Sequence, residues 1–294
     1  MGQFHDSTMN TRVAFDENSE NGLIFGGRYL PEELLSEILC YVDLESLLKC
    51  QLVCKRWKML LDSYVWRKKA EITINGLLPP DANISWTMYY LICKKRPFER
   101  NLMKNHSGEH GVNKHWTILH EGGHRWRVEN PPVGVPPLPV DNEAVFEGRQ
   151  SCFVTSYQKC TKTQMIDLLA EGLDPYFLDK YQPTIAVSEW YSCRWDCPAV
   201  YKCSVQLLTE DNLIMDSFEF RDNIEGDHQN EWLRVSHEFK NYGAGLRKIS
   251  FFHEGRDKSF WAGHYGSKMA GACVCVRFPT FRCPDAGDTS SDTE

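Results

Sequence analysis

The sequence lacks a run of eighteen apolar residues, and its first 22 residues contain neither the basic nor the apolar segment of a signal peptide. We therefore expect no membrane span and a cytoplasmic location. Positive charge is also scarce, since 33 Lys and Arg stand against 40 Asp and Glu in 294 residues, a formal net charge of −7. A nucleic-acid surface needs an excess of basic side chains, so we expect no nucleic-acid partner.

Motifs for catalysis and metal binding are missing as well: there is no phosphate-binding loop, no G-x-S-x-G motif and no C-x-x-C pair. The twelve cysteines are expected to be reduced thiols, and Cys273 and Cys275 would point to one face of a strand rather than surround an ion. His115, His120 and His124 lie close together, but flanking Trp and Gly residues indicate a surface turn. We expect no metal, no cofactor and no catalytic residue.

What the sequence does contain is a dense group of aliphatic residues from Leu30 to Trp66, LPEELLSEILCYVDLESLLKCQLVCKRWKMLLDSYVW. Their spacing predicts a helix that begins at Pro31 and a second helix capped by Asp43. A segment of about forty residues is too short to bury such a surface alone, so we expect it to need a partner. From the residues alone, a helical hairpin packed on the rest of the chain remains an alternative.

This segment closely resembles the F-box, through Leu30-Pro31, the leucine pairs and the Val53-Cys54-Lys55-Arg56-Trp57 run. In that family the segment docks onto a Skp-type adaptor and so onto the cullin of an SCF-type ubiquitin ligase. The adaptor-binding residues that the resemblance implies are Leu30, Pro31, Leu34, Leu35, Ile38, Leu39, Leu47, Leu48, Val53 and Trp57.

After Pro97 the texture changes to short β-prone runs punctuated by Gly, Pro and Asn. Several runs alternate polar and apolar residues, which favours an antiparallel β-sandwich. The segment 85–95 predicts a connecting helix, and 165–171 fits a strand or a helix. The predicted strands are Ile185 to Val187, Tyr201 to Leu208, Ile214 to Phe220, Trp232 to Phe239, Arg247 to His253 and Ala272 to Phe278.

The sequence therefore predicts an α+β fold in which a helical linker joins a small helical F-box to an antiparallel two-sheet β-sandwich. The predicted boundaries are a disordered tail at 1–27, the F-box at 28–73, the linker at 74–95, the sandwich at 96–280 and an acidic disordered tail at 281–294. That last tail contains Ser290, Ser291 and Thr293, which could be phosphorylated.

The second half resembles the F-box-associated (FBA) domain of the sugar-recognising F-box proteins. The resemblance rests on RPFERNLMKN (96–105), Glu121-Gly122-Gly123 with Trp126-Arg127-Val128-Glu129, and the stretches 153–172, 181–196 and 232–266. It implies a two-sheet antiparallel sandwich that binds high-mannose N-glycans. Such a subunit presents misfolded glycoproteins for ubiquitination in ER-associated degradation.

A sugar ring packs its C–H face on an aromatic side chain, while its hydroxyl groups need donors and acceptors at the edge. Phe260-Trp261 lies between glycines that let a loop turn outward, and the loop from Cys193 to Cys197 offers a guanidinium and a carboxylate. The candidate carbohydrate-binding residues are Tyr157, Arg194, Trp195, Asp196, Phe260 and Trp261. Of these, the family resemblance itself places Tyr157, Asp196, Phe260 and Trp261 in the glycan pocket.

Three positions depart from the family pattern. Phe260 stands where tyrosine is usual, Ala262 where some members have lysine, and His264 where an aromatic residue is common. Because lost hydrogen bonds alter selectivity, the glycan preference stays open. Aromatic residues near strand ends also fill cores, and an Arg–Asp pair also occurs on ordinary surfaces. The alternatives are therefore an F-box protein whose sandwich recognises a protein surface, and a cytosolic lectin that acts without the ligase.

Overall fold

The computed structural model describes residues 21–78 and 84–278, so the predictions for 1–20, 79–83 and 279–294, including most of both tails, lie outside it. Contacts divide the chain into two units. The first runs to Leu78 and includes Ser85–Lys94, and the second contains the chain from Lys95 onward. Within the described ranges, no helix combines the length and the apolar character that a membrane crossing requires.

The first unit consists of a short hairpin followed by helices. Its elements are β1 Ile24–Phe25, β2 Arg28–Tyr29, α1 Glu32–Tyr41, α2 Leu44–Cys50, α3 Lys55–Leu60, a π-helical turn Leu61–Val65, α4 Trp66–Ile74 and α5 Trp86–Lys95. The sequence analysis assigned residues 24 and 25 to the polar tail and did not predict the hairpin.

Local capping and a shared core hold these helices. The carboxylate of Asp43 accepts a hydrogen bond from the backbone N–H of Ser46 at 2.9 Å, which confirms the predicted cap of α2. Trp66 is fully buried, and its ring centroid lies 5.7 Å from that of Trp86 and 5.8 Å from that of Tyr90. Those contacts attach α5, part of the predicted linker, to the first unit.

The second unit contains two five-stranded antiparallel sheets. Its elements are β3 Thr117–Glu121, β4 Arg127–Glu129, β5 Cys152–Val154, β6 Cys160–Asp167, α6 Pro175–Tyr181, β7 Ile185–Ser192, β8 Ala199–Leu208, β9 Ile214–Ile224, β10 Leu233–Phe239, β11 Lys248–Asp257 and β12 Lys268–Val276. One sheet has the strand order β10-β7-β12-β5-β4 and the other β3-β6-β11-β8-β9. The predicted fold, a small helical unit followed by an antiparallel β-sandwich, is confirmed.

Alternation along the strands builds the sandwich core. On β11, Ile249 and Phe251 are buried, and on β12 Val274 and Val276 are buried while Cys273 and Cys275 are only partly so. The two thiols share one face, as the alternation predicted. Burial raises the pKa of the Cys273 thiol to about 11, which keeps it protonated at neutral pH.

Polar groups also lie inside the sandwich, and they connect its two sheets. Glu189 of β7 accepts a hydrogen bond from the Tyr201 hydroxyl of β8 at 2.6 Å and lies 2.7 Å from Nδ1 of His253 on β11. Burial raises the pKa of Tyr201 and lowers that of His253, so a neutral phenol and a neutral imidazole face one carboxylate. In the tautomer with the proton on Nδ1, His253 donates to Glu189.

Candidate functional site

Three loops meet at one end of the sandwich because the antiparallel register brings their strand ends together. Val154 at the end of β5 and Ser192 at the end of β7 both pair with Lys268 at the start of β12. Asp257 at the end of β11 pairs with Ala199 at the start of β8. The loops that follow β5, β7 and β11 therefore share this end, and together they carry all six predicted carbohydrate-binding residues.

The loop after β11 is fixed by one buried carboxylate. Asp257 is buried, and its two oxygens accept hydrogen bonds from the backbone N–H groups of Phe260 at 2.6 Å and Trp261 at 3.2 Å. Burial raises the pKa of Asp257, while these N–H groups oppose that shift. Phe260 has a left-handed backbone with φ of 55°, a conformation uncommon for a bulky residue. The carboxylate thus holds a strained turn that directs two aromatic side chains outward.

The loop after β7 carries a charged pair beside an exposed ring. Arg194 binds Asp196 through two parallel hydrogen bonds of 2.8 Å each, and that guanidinium holds the pKa of Asp196 below its ordinary value. Gln229 donates to the carbonyl oxygens of Arg194 at 3.0 Å and Trp195 at 3.3 Å, which fixes the loop from below. An ionised carboxylate and a guanidinium with further N–H groups are both suited to bind hydroxyl groups.

Two clusters of rings line this end of the sandwich. In the first, the Tyr157 ring meets the edge of Phe260 at 5.0 Å and of His124 at 5.5 Å between centroids. In the second, Tyr265 meets Trp261 at 5.6 Å, and the Arg194 guanidinium lies 4.8 Å from the Tyr265 centroid. Phe260 and Trp261, although adjacent in sequence, therefore belong to different clusters.

Exposure separates the rings that are free to bind from those that support them. Trp195 and Phe260 each expose 65% of their surface and Trp261 exposes 45%, whereas Tyr157 and Tyr265 are half-buried. Large aromatic side chains this exposed, gathered on neighbouring loops, mark an interaction surface.

Sequence reasoning missed His124, Tyr265 and Asp257 as members of this site. Ser156 explains how His124 arrives there: its hydroxyl accepts from the His124 N–H at 2.9 Å and donates to the Gly263 carbonyl at 2.7 Å, which ties two distant loops together. Tyr265 follows the departure noted at His264 by one residue, and that proximity was the available signal.

The segment from His120 to His124, HEGGH, has H-E-x-x-H spacing, which would put both imidazoles on one face of a helix. Here His120 lies in β3, not in the expected surface turn, and the run then leaves the strand. His124 points instead toward Tyr157 and His264, whose pKa is lowered by burial. Among the residues that the structure describes, no group of three or more His, Cys, Asp or Glu side chains could hold a metal ion.

In the first unit, the structure separates the predicted adaptor-binding residues by exposure. Leu34, Ile38 and Val53 are exposed, Leu30, Pro31, Leu48 and Trp57 are partly buried, and Leu35, Leu39 and Leu47 lie in the core of the unit itself. The three buried leucines hold the helices together, so direct contact with an adaptor remains a prediction only for the others.

Comparison with known proteins covers both units. The family described as F-box associated region matches residues 93–276, and the family described as F-box-like matches residues 28–71. F-box only protein 6 of Rattus norvegicus is 35% identical over 263 residues, which cover 87% of this chain and 88% of that protein. F-box only protein 27 of Mus musculus is 36% identical over 262 residues, covering 84% and 90%. F-box only protein 2 of Bos taurus is 35% identical over 259 residues, covering 84% and 82%.

Proposed function

Because this chain belongs to the F-box only proteins that carry an F-box associated region, we propose that its β-sandwich binds high-mannose N-glycans on misfolded glycoproteins. The chain is a substrate-recognition subunit of an SCF-type ubiquitin ligase, and its F-box binds the Skp-type adaptor. On this proposal, glycoproteins bound in the cytoplasm are ubiquitinated and degraded, and the chain itself contributes binding rather than catalysis.

The observation that carries the proposal is the pair of diverging rings in the loop after β11. Phe260 and Trp261 stand on two neighbouring ring clusters, and both are substantially exposed. A pyranose ring stacks its C–H face on such a surface without needing a closed cavity. The Asp257 carboxylate fixes both backbone N–H groups, so the rings are held ready before a ligand arrives.

Polar groups at the edge of the rings support a sugar ligand over a purely apolar one. The Arg194–Asp196 pair lies on the adjacent loop, and Arg194 also stacks on Tyr265 of the second ring cluster. A sugar bound on Trp261 would place hydroxyl groups toward this pair. Phe260 lacks the hydroxyl that tyrosine would supply, so we propose that ring stacking and the Arg194–Asp196 pair dominate recognition here.

A glycan array probed with the purified full-length chain tests this function. We expect binding to high-mannose glycans, and we expect Trp261→Ala to weaken it more than tenfold, as removal of a central aromatic anchor does. The matched control is Leu213→Ala, because Leu213 is an exposed apolar residue in the turn after β8, at the opposite end of the sandwich. If the array stays blank, or if both variants bind like wild type, the sugar site is wrong.

A protein ligand at the same loops would give a different pattern. Trp195 is the most exposed ring of the site and would suit a polypeptide surface equally well. In that case a client would bind equally before and after enzymatic removal of its glycans, and Trp195→Ala would weaken binding to both forms.

A further inference from the structure

We propose that the hairpin of β1 and β2 extends the adaptor-binding surface of the F-box, so that the Skp-type adaptor contacts the hairpin as well as the helices. The inference rests on the F-box function stated above. The F-box-like match begins at residue 28, so β1 lies outside the matched region.

The hairpin is attached to α3 rather than projecting from it. The indole N–H of Trp57 donates a hydrogen bond to the Gly22 carbonyl at 2.8 Å, and the Phe25 and Trp57 rings lie 5.7 Å apart. Leu23 is buried, and its carbonyl accepts a hydrogen bond from the Leu30 N–H at 2.8 Å. These contacts anchor both ends of the hairpin to the helical unit.

Gly22 makes this close approach possible. Its φ is +86°, and a Cβ atom there would lie 2.6 Å from Sγ of Cys54 and 3.1 Å from the Trp57 ring. Any larger residue would combine an unfavourable backbone conformation with a clash. The hairpin therefore has a defined position against the start of α3.

The outward side of the hairpin is apolar. Ile24, Phe25 and Tyr29 expose 53%, 41% and 58% of their surface, although they fall within only six residues. Leu52 and Val53, which immediately precede Cys54, are also exposed. An apolar surface of this kind is unfavourable in water and is typical of a binding face.

Continuity with the F-box identifies the occupant. Trp57 and Val53 are among the predicted adaptor-binding residues, and the hairpin contacts Trp57 directly and lies against Cys54, the residue after Val53. A partner seated on that part of the F-box meets the hairpin as the next apolar surface. The adaptor is therefore the partner that this face fits.

Isothermal titration of the adaptor into the full-length chain tests the inference. The variant is Ile24→Ser combined with Tyr29→Ser, two exposed side chains whose replacement leaves the Phe25–Trp57 contact in place. We expect binding to weaken about tenfold, the effect of losing about 1.4 kcal/mol of interface free energy. The matched control is Leu77→Ser, because Leu77 is similarly exposed but lies outside both the hairpin and the predicted adaptor-binding residues. This control should bind like wild type.

A third variant, Ile38→Glu, separates the two levels of the argument. If it abolishes binding while the hairpin variant binds like wild type, the hairpin inference is overturned and the F-box assignment stands. If it leaves adaptor binding intact, the adaptor face is wrong and the hairpin inference falls with it. Sedimentation of the isolated chain covers a second copy as occupant: a dimer that the hairpin variant dissolves would contradict the adaptor as the partner.

Discussion

At the scale of single residues, the candidate site depends on groups that a sugar would never touch. Asp257 is buried behind the rings, yet its carboxylate holds the backbone of both Phe260 and Trp261. The strained backbone of Phe260 persists only while these two hydrogen bonds are made. Ring orientation is therefore set by a carboxylate rather than by packing of the rings alone.

Asp257→Asn should loosen this loop. An asparagine offers one oxygen in place of two, so one backbone N–H loses its acceptor, at about 1–3 kcal/mol. We expect the free energy of unfolding to fall by that amount in urea titrations, and the glycan affinity to fall about tenfold because both rings lose their fixed orientation. Glu219→Gln, a change in the exposed pair with Lys202, is the control and should alter neither quantity. Lowered stability with unchanged glycan affinity would restrict Asp257 to a folding role.

The Arg194–Asp196 pair gives the site a defined response to acid. Its hydrogen bonds hold the pKa of Asp196 below the ordinary value of 3.8, which the unfolded chain retains. The stabilisation is thus fully present above that ordinary value and is lost as pH falls through the lower pKa of the folded state. We expect Asp196→Asn to be less stable than wild type at neutral pH, with the difference shrinking toward about pH 3. Thermal unfolding of both proteins measured across this range checks the prediction, and a constant difference would contradict it.

At the scale of elements, α1 presents two faces with different tasks. Ile38 is exposed and the adjacent Leu39 is buried, so the two residues form a matched pair on one helix. We expect Leu39→Ala to lower the free energy of unfolding by about 2–5 kcal/mol, while Ile38→Ala changes it by about 0.5 kcal/mol or less. Adaptor affinity should show the reverse order, because only Ile38 faces outward.

Urea unfolding and adaptor titration of the two variants decide this. Equal loss of adaptor affinity in a fully folded Leu39→Ala protein would mean that α1 contacts the adaptor through its buried face, which requires the helix to move.

The elements that sequence predicts are those whose apolar spacing matches their burial. The helix from Pro31, the cap at Asp43 and the long central strands are of this kind. Strand β6 is not, because its inward residues include Lys162 and Gln164, polar types that normally indicate exposure. The ambiguous segment 165–171 proves to be the end of β6 followed by turns.

The site was predictable in part for a similar reason. Glycines beside Phe260-Trp261 and the charges around Trp195 are visible as local patterns. His124 and Tyr265 join the site only through the register of separate strands, and one sequence read locally does not contain that information. The buried leucines of the F-box were overassigned to the adaptor because spacing alone does not distinguish a core stripe from a docking stripe.

At the scale of the whole chain, a buried lysine affects the stability of the sandwich unit. Lys162 is fully buried, its ammonium lies 4.6 Å from the Trp116 ring centroid and 4.5 Å from that of Trp126, and its nitrogen has no hydrogen-bond partner among the described residues. Burial holds the pKa of Lys162 well below its ordinary value of 10.5. The unfolded chain therefore binds more protons, so stability rises with pH until the ordinary value is reached.

Lys162→Met should raise the free energy of unfolding at neutral pH and reduce its increase toward alkaline pH, since a similar volume replaces a poorly solvated charge. Urea unfolding at about pH 7 and about pH 9 measures both effects. Lys159→Met, at an exposed lysine paired with Glu254, is the control and should leave the pH slope unchanged. A destabilised Lys162→Met protein with the wild-type slope would show that contact with the rings outweighs desolvation.

The central claim joins both units of the chain: one binds the ligase adaptor and the other selects glycosylated clients. The most direct test is reconstituted ubiquitination with the full-length chain, adaptor, cullin and RING protein. The client is a misfolded high-mannose glycoprotein used before and after enzymatic removal of its glycans. We predict that only the glycosylated client is ubiquitinated, that Trp261→Ala and Ile38→Glu each abolish the reaction, and that Leu213→Ala leaves it intact. Equal ubiquitination of the glycosylated and deglycosylated client would contradict the claim.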